Sequence, residues 1–290
     1  MHRKVLYRMN ENQDRNVSSF RKTWDILSPA VYYYVIYNVA VIILAFITGS
    51  VINTFYSEQI QNLMEHNTTI SSLLSAIAMI IGIIPLIPGL KSQLYRNKTL
   101  NPGKKPGALQ YIITVVIACA ASIGLNILII LTGFVETSDA YRQVAERQYG
   151  VAFGIGLVLY GIISPVTEEI IFRGLIFNRM KKYYPIRLAI IASAAFFGIW
   201  HGNTVQAIYG TCMGLLLAYT YEKFKSFLIP CIFHAVANIS VYTVTYNTKI
   251  YTAIVKPYVC IILLIISAAV ILYLNRQTIN GIDTQKHNKQ

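Results

Sequence analysis

The sequence predicts an all-α fold, a polytopic membrane helical bundle of about eight transmembrane helices. Three observations carry the prediction. The 290-residue chain is 55% hydrophobic and only 13% charged, with a mean hydropathy of +0.50, whereas a soluble domain carries about 25% charged residues. Apolar runs of about 20 residues, each long enough to cross a bilayer, recur between short polar loops. The net charge of +13 is concentrated in every second loop.

Taken in order, a basic segment 1–29 comes first, with Arg3, Lys4, Arg8, Arg15, Arg21 and Lys22. It is too polar before the first apolar run, and lacks the small-residue cleavage site, for a secretory signal. Spans follow at 30–52 and 70–90, then "NKTLNPGKKPG" at 97–107, read as a turn-rich linker. The next spans are 109–133, 151–178, 186–201, 204–221, 227–245 and 256–274, and 275–290 is a polar tail. The span at 186–201 is short, which suits a steep or partly re-entrant placement. Gly210 and Gly214 form a G-x-x-x-G pair, which serves either packing inside the bundle or dimerisation; the oligomeric state is not readable from the sequence.

The charges fix a topology. Lys91, Arg96, Lys98, Lys104 and Lys105 share one loop without an acid, and Arg173, Arg179, Lys181, Lys182 and Arg187 cluster from the end of span four to the start of span five. The intervening loops carry Glu58 and Glu65, then Glu136, Asp139 and Glu146 against Arg142 and Arg147. The positive-inside rule then places both termini in the cytoplasm of a multi-pass cell-membrane protein. The partner implied by the charge is the lipid bilayer, with its anionic headgroups, and no nucleic acid. Cys119, Cys212, Cys231 and Cys260 all fall inside spans without C-x-x-C spacing, as free buried thiols do.

An ionisable group inside a span is costly and marks function by default. Spans one to three contain none, and, apart from Arg187 and Lys256 at span edges, all such residues lie within 164–238: Glu168, Glu169, Arg173, His201 and His234, with Asn238 beside them. Glu169 and Arg173 are four apart, in the favoured order for an ion pair on one helix face. That leaves Glu168 about 100° round the helix without an i+4 partner, near Pro165, which cannot donate a backbone bond and can open the helix. His234 and Asn238, also four apart, project from one face, and His201 supplies a second imidazole.

Two chemistries use this set. In one, Glu168 and His201 deprotonate a water while His234 and Asn238 stabilise the oxyanion at a peptide carbonyl. In the other, Glu168, His201 and His234 are candidate ligands of a divalent metal such as zinc, which acidifies its bound water. The cofactor is therefore either none or one such ion. The H-E-x-x-H helix is absent and Asn is a poor zinc ligand, which favours the first. Ser164 has no spacing that marks it as a nucleophile. Interhelical hydrogen bonding is the plain alternative for each polar residue taken singly.

Three motifs together carry a family resemblance. "EEIIFRG" fits E-E-x-x-x-R with Glu168, Glu169 and Arg173; "FGIWH" fits F-x-x-x-H with Phe197 and His201; "HAVAN" fits H-x-x-x-N with His234 and Asn238. The chain resembles the CAAX-prenyl endopeptidases and bacteriocin-processing enzymes, the Abi or CPBP family of intramembrane proteases, over roughly 160–240. The resemblance implies an eight-helix endopeptidase, a CAAX-type protease or metalloprotease, acting on a peptide or membrane-anchored protein from a site open toward the cytoplasm. It further implies that Glu168 and His201 activate water, that His234 and Asn238 form the oxyanion hole, that Glu169 and Arg173 order the site, and that Phe197 packs against it. The alternative is a non-catalytic membrane scaffold or self-immunity protein that keeps the motifs for folding.

Overall fold

Apolar, helix-favouring segments joined by short loops give a structure without strands among the described residues. A computed structural model describes residues 18–56, 67–100 and 105–287, with the side chains of the last helix up to 276. Arg3, Lys4, Arg8, Arg15, Glu58, Glu65 and Lys104 lie outside the described residues.

The helices are α1 Ser19–Phe55, α2 Thr68–Leu100, α3 Ala108–Leu131, α4 Asp139–Tyr149, α5 Phe153–Tyr183, α6 Ile186–Ile199, α7 Thr204–Phe224, α8 Leu228–Tyr246, α9 Thr248–Ile254 and α10 Pro257–His287. Among the described residues, α1, α2, α3, α5, α8 and the first 20 residues of α10 are long and apolar enough to cross a membrane. The other two expected spans differ for separate reasons. α6 has only 14 residues, about 21 Å of helix, and α7 is diluted by polar residues including Glu222 and Lys223.

Several boundaries depart from the sequence reading. α1 starts eleven residues before the expected span at 30, capped by Ser18, and carries Pro29 within it. Residues 97–100 of the expected linker are instead the last turn of α2. The helix that follows 256 runs on through most of the expected tail. Two short helices, α4 and α9, stand where loops were expected, each begun by a side-chain cap from Ser138 or Asn247.

α5 is the inner helix. Ile170 through Phe177 are all buried, and a helix apolar on every side belongs in the middle of a bundle. α6 and α7 form a tight hairpin beside it. A Cβ on Gly214 would sit 3.0 Å from the Ala194 Cα, and one on Gly210 would sit 3.1 Å from the Gly198 Cα. The G-x-x-x-G pair is therefore consumed by packing against α6.

Polar contacts define one end of the bundle. Lys182 and Tyr183 of α5 meet Asp25 of α1 at 3.3 and 2.9 Å, and Lys181 meets Glu222 of α7 at 3.1 Å. Lys223 donates to the Leu274 carbonyl of α10, and Asn97 of α2 reaches Asn178 and Tyr221. At the opposite end Thr68 of α2 donates to the Gly150 carbonyl at 3.0 Å, and Phe153 of α5 packs on Tyr246 of α8.

Candidate active site

The backbone of α5 is irregular where the acids stand. Residues Leu159–Ile163 form a π-helical turn in which the Ser164 N–H bonds the Leu159 carbonyl, five residues back. In that register the next donor would be residue 165, reaching the Tyr160 carbonyl. Residue 165 is proline and has no N–H. The orphaned Tyr160 carbonyl accepts instead from the Asn238 side chain on α8, Nδ2 to O 3.0 Å. Pro165 thus opens the helix as its chemistry requires, and the opening anchors Asn238. One N–H of that carboxamide is used here and the second is left for another acceptor.

Glu169 is fully buried between two cations or donors. Its Oε1 accepts from Arg173 Nη1 at 2.9 Å and from His234 Nδ1 at 2.8 Å. Arg173 also donates to the Gly214 carbonyl at 3.2 Å and lies 4.3 Å over the Phe197 ring. The expected ion pair forms, and it is also the support of His234. Phe197 sets its ring edge-on to both His201 and His234, at 5.0 and 5.5 Å. The sequence motifs thus converge on one cluster.

Glu168 faces the other way, 19% exposed. Its Oε1 accepts from Ser164 Oγ at 2.6 Å. Its Oε2 is buried with no hydrogen-bond partner among the described residues, 3.8 Å from His234 Nε2 and 4.0 Å from His201 Nε2. The sequence reading weighed Ser164 only as a nucleophile and missed its bond to Glu168. The signal was present, because Ser164 stands one turn before Glu168 on the same face.

His201 is positioned by a turn. α6 ends at Ile199, Gly202 adopts φ +75°, which suits a residue without Cβ, and Asn203 caps α7 by accepting from Gln206 N at 2.9 Å. The His201 Nδ1 lies 2.9 Å from the Phe197 carbonyl. A carbonyl only accepts, so Nδ1 carries the proton; the Glu169 carboxylate fixes a proton on His234 Nδ1 in the same way. Both Nε2 atoms therefore face Glu168 Oε2 across a small gap.

That donor set bears on the metal. Two imidazoles whose Nδ1–H groups are held by a carbonyl and a carboxylate resemble supported metal ligands. The spacings of 3.8 and 4.0 Å are wider than the roughly 3.3 Å between ligand atoms of a tetrahedral zinc site with bonds near 2.0 Å. Among the described residues no group of three His, Cys, Asp or Glu converges as a metal site. As the side chains stand the set does not fit an ion, whereas a water bridging carboxylate and imidazole fits the gap.

The cluster forms the floor of a cavity of about 590 Å³. Its walls include Tyr33, Tyr34 and Tyr37 of α1, Tyr160 of α5, Tyr209 of α7 and Tyr242 of α8, and α4 roofs it with Tyr141, Val144, Ala145, Gln148 and Tyr149. Burial pushes the Tyr149 hydroxyl up to about 12 and that of Tyr141 upward as well, so both roof phenols keep their protons.

The structure is thus a helical membrane protein with paired carboxylates, two imidazoles and a carboxamide around an internal cavity. Residues 150–240 match the family described as "Type II CAAX prenyl endopeptidase Rce1-like". Over 194 residues the chain is 25% identical to the "Putative membrane peptidase YdiL" of Bacillus subtilis (strain 168), covering 60% of this chain and 71% of that protein. No solved structure matches the chain significantly. The matched stretch contains every motif residue, so the resemblance read from the sequence holds.

Proposed function

We propose that the protein is a multi-pass cell-membrane endopeptidase, both termini cytoplasmic, that hydrolyses a peptide bond of a membrane-associated protein or peptide. The observation that supports this most directly is Glu168 Oε2, buried and unpartnered on the cavity floor, 3.8 and 4.0 Å from two imidazole Nε2 atoms. A water in that gap donates to Glu168 and to His201, which orients its lone pair toward a carbonyl carbon in the cavity. Glu168 takes one proton as the water oxygen bonds to carbon, and returns it to the leaving amine nitrogen when the C–N bond breaks. The carbonyl oxygen, now negative, faces the free N–H of Asn238 and His234 Nε2. The His234 part requires a proton on Nε2 besides the one given to Glu169. Glu169 stands against that imidazolium as its counter-charge, since Glu168 holds the water proton at this stage.

The test is cleavage of membrane-peptide candidates by purified full-length protein in proteoliposomes. Wild type should cleave after treatment with a membrane-permeant chelator. Glu168→Ala should lose about 10²–10⁴ in rate, with the amount of folded protein unchanged. If Glu168→Ala kept full biological function in cells, the scaffold reading would replace this one. Stoichiometric zinc lost and regained together with activity would replace the metal-free route alone.

A further inference from the structure

The cavity lies toward one end of the bundle and reaches inward to its middle. α5 enters it with Tyr160 and Glu168 from its first half, α7 with Gln206 and Tyr209 from its first half, and α8 with Asn238 and Tyr242 from its second. At their other ends lie the basic residues: Arg179, Lys181 and Lys182 close α5, and Lys223 and Lys225 close α7. On that side the floor is sealed, since Ile171, Phe172, Leu175, Ile176 and Phe177 are each at most 1% exposed. On the far side the roof is α4, which balances Asp139 and Glu146 against Arg142 and Arg147. Short loops rich in lysine and arginine stay in the cytoplasm, so the roofed half faces away from it. This is opposite to the opening that the family resemblance implies.

We infer that the peptide reaches the site from the non-cytoplasmic face, passing under or beside α4, and that the substrate is an exported or membrane-anchored segment on that face. The lining narrows its chemistry. Glu168 is the one acid, and no lysine or arginine lines the cavity among the described residues. A free C-terminal carboxylate would meet that acid and no lysine or arginine, whereas an internal, uncharged stretch meets tyrosine rings and hydroxyls that can satisfy its backbone. The word substrate rests on the endopeptidase reading; the direction of access does not.

The experiment reads access without turnover. Full-length protein lacking the native four cysteines carries Gln206→Cys or Val241→Cys on the cavity wall, or Lys98→Cys at the basic end. Intact cells are treated with a membrane-impermeant maleimide, and the result is compared with permeabilised cells. Both cavity cysteines should label in intact cells with no gain on permeabilisation, and Lys98→Cys should label only after it. Protection of both cavity cysteines in intact cells, or labelling of Lys98→Cys there, would overturn the inference. Loss of the catalytic reading would instead register as unchanged cleavage by Glu168→Ala, with this labelling pattern intact.

Discussion

α1 and α5 are both long apolar helices of one chain, yet they are held by different physics. In the most apolar stretch of α1 only 11% of residues are buried inside the protein, against 50% in α5. The exposed side of α1 presents Phe46, Ile42 and Val35 to the bilayer, a surface that any sufficiently apolar side chain supplies. α5 instead buries Glu169 and Arg173, joins His234 through that carboxylate, and lends a backbone carbonyl to Asn238. Hydropathy specifies the first helix. Pairwise polar geometry specifies the second, so substitutions should be tolerated very unequally.

The sharpest test of this contrast is Asn238→Asp. It is nearly isosteric but exchanges the donor for a carboxylate facing both the Tyr160 carbonyl and the developing oxyanion. Turnover should fall by at least about 10²–10³, measured on peptide cleavage in proteoliposomes. Retained turnover would remove Asn238 from the oxyanion role. Arg173→Ala comes next. It leaves Glu169 buried beside His234 with one partner lost, at a cost of about 3–5 kcal/mol, less if water enters. Thermal unfolding in detergent should shift down along with activity, and an unshifted transition would show that the pair does not hold the bundle.

A smaller effect is expected at Ser164, whose hydroxyl orients Glu168 Oε1 from 2.6 Å. A hydrogen bond to a charged group is worth about 1.5 kcal/mol or more, so Ser164→Ala should slow cleavage roughly tenfold, with little change in unfolding. Ser164→Thr should restore most of the rate; equal slowing by both variants would assign the effect to packing. Smallest of all is Phe46→Ala on the lipid face of α1, 75% exposed. Stability should move by less than about 0.5 kcal/mol, and a loss comparable to that of Arg173→Ala would erase the distinction between the two helices.

The same contrast explains what could be read from the sequence. Spans were legible because hydropathy is a local sum, and the motif residues because charged groups stand out in apolar runs. The α4 roof was legible in principle: Tyr141, Val144, Ala145 and Gln148 recur at i, i+3, i+4 and i+7 behind a Ser138 cap. Its polar face made it resemble a loop. Tyr33 and Tyr37 in a featureless first span gave no sign that they line the cavity. The Tyr160 carbonyl could not be found at all, because a main-chain acceptor freed by the backbone register leaves no mark in residue identity.

That carbonyl has a consequence for biogenesis. The bond between Asn238 and Tyr160 joins residues 78 positions apart, on helices that enter the bilayer at different moments of synthesis. Until α8 docks against α5, the carboxamide has no anchor, Glu169 lacks its imidazole, and Glu168 faces at most one histidine. A nascent chain therefore passes through insertion with this cluster unassembled, and docking of the last inner helix completes it in one step.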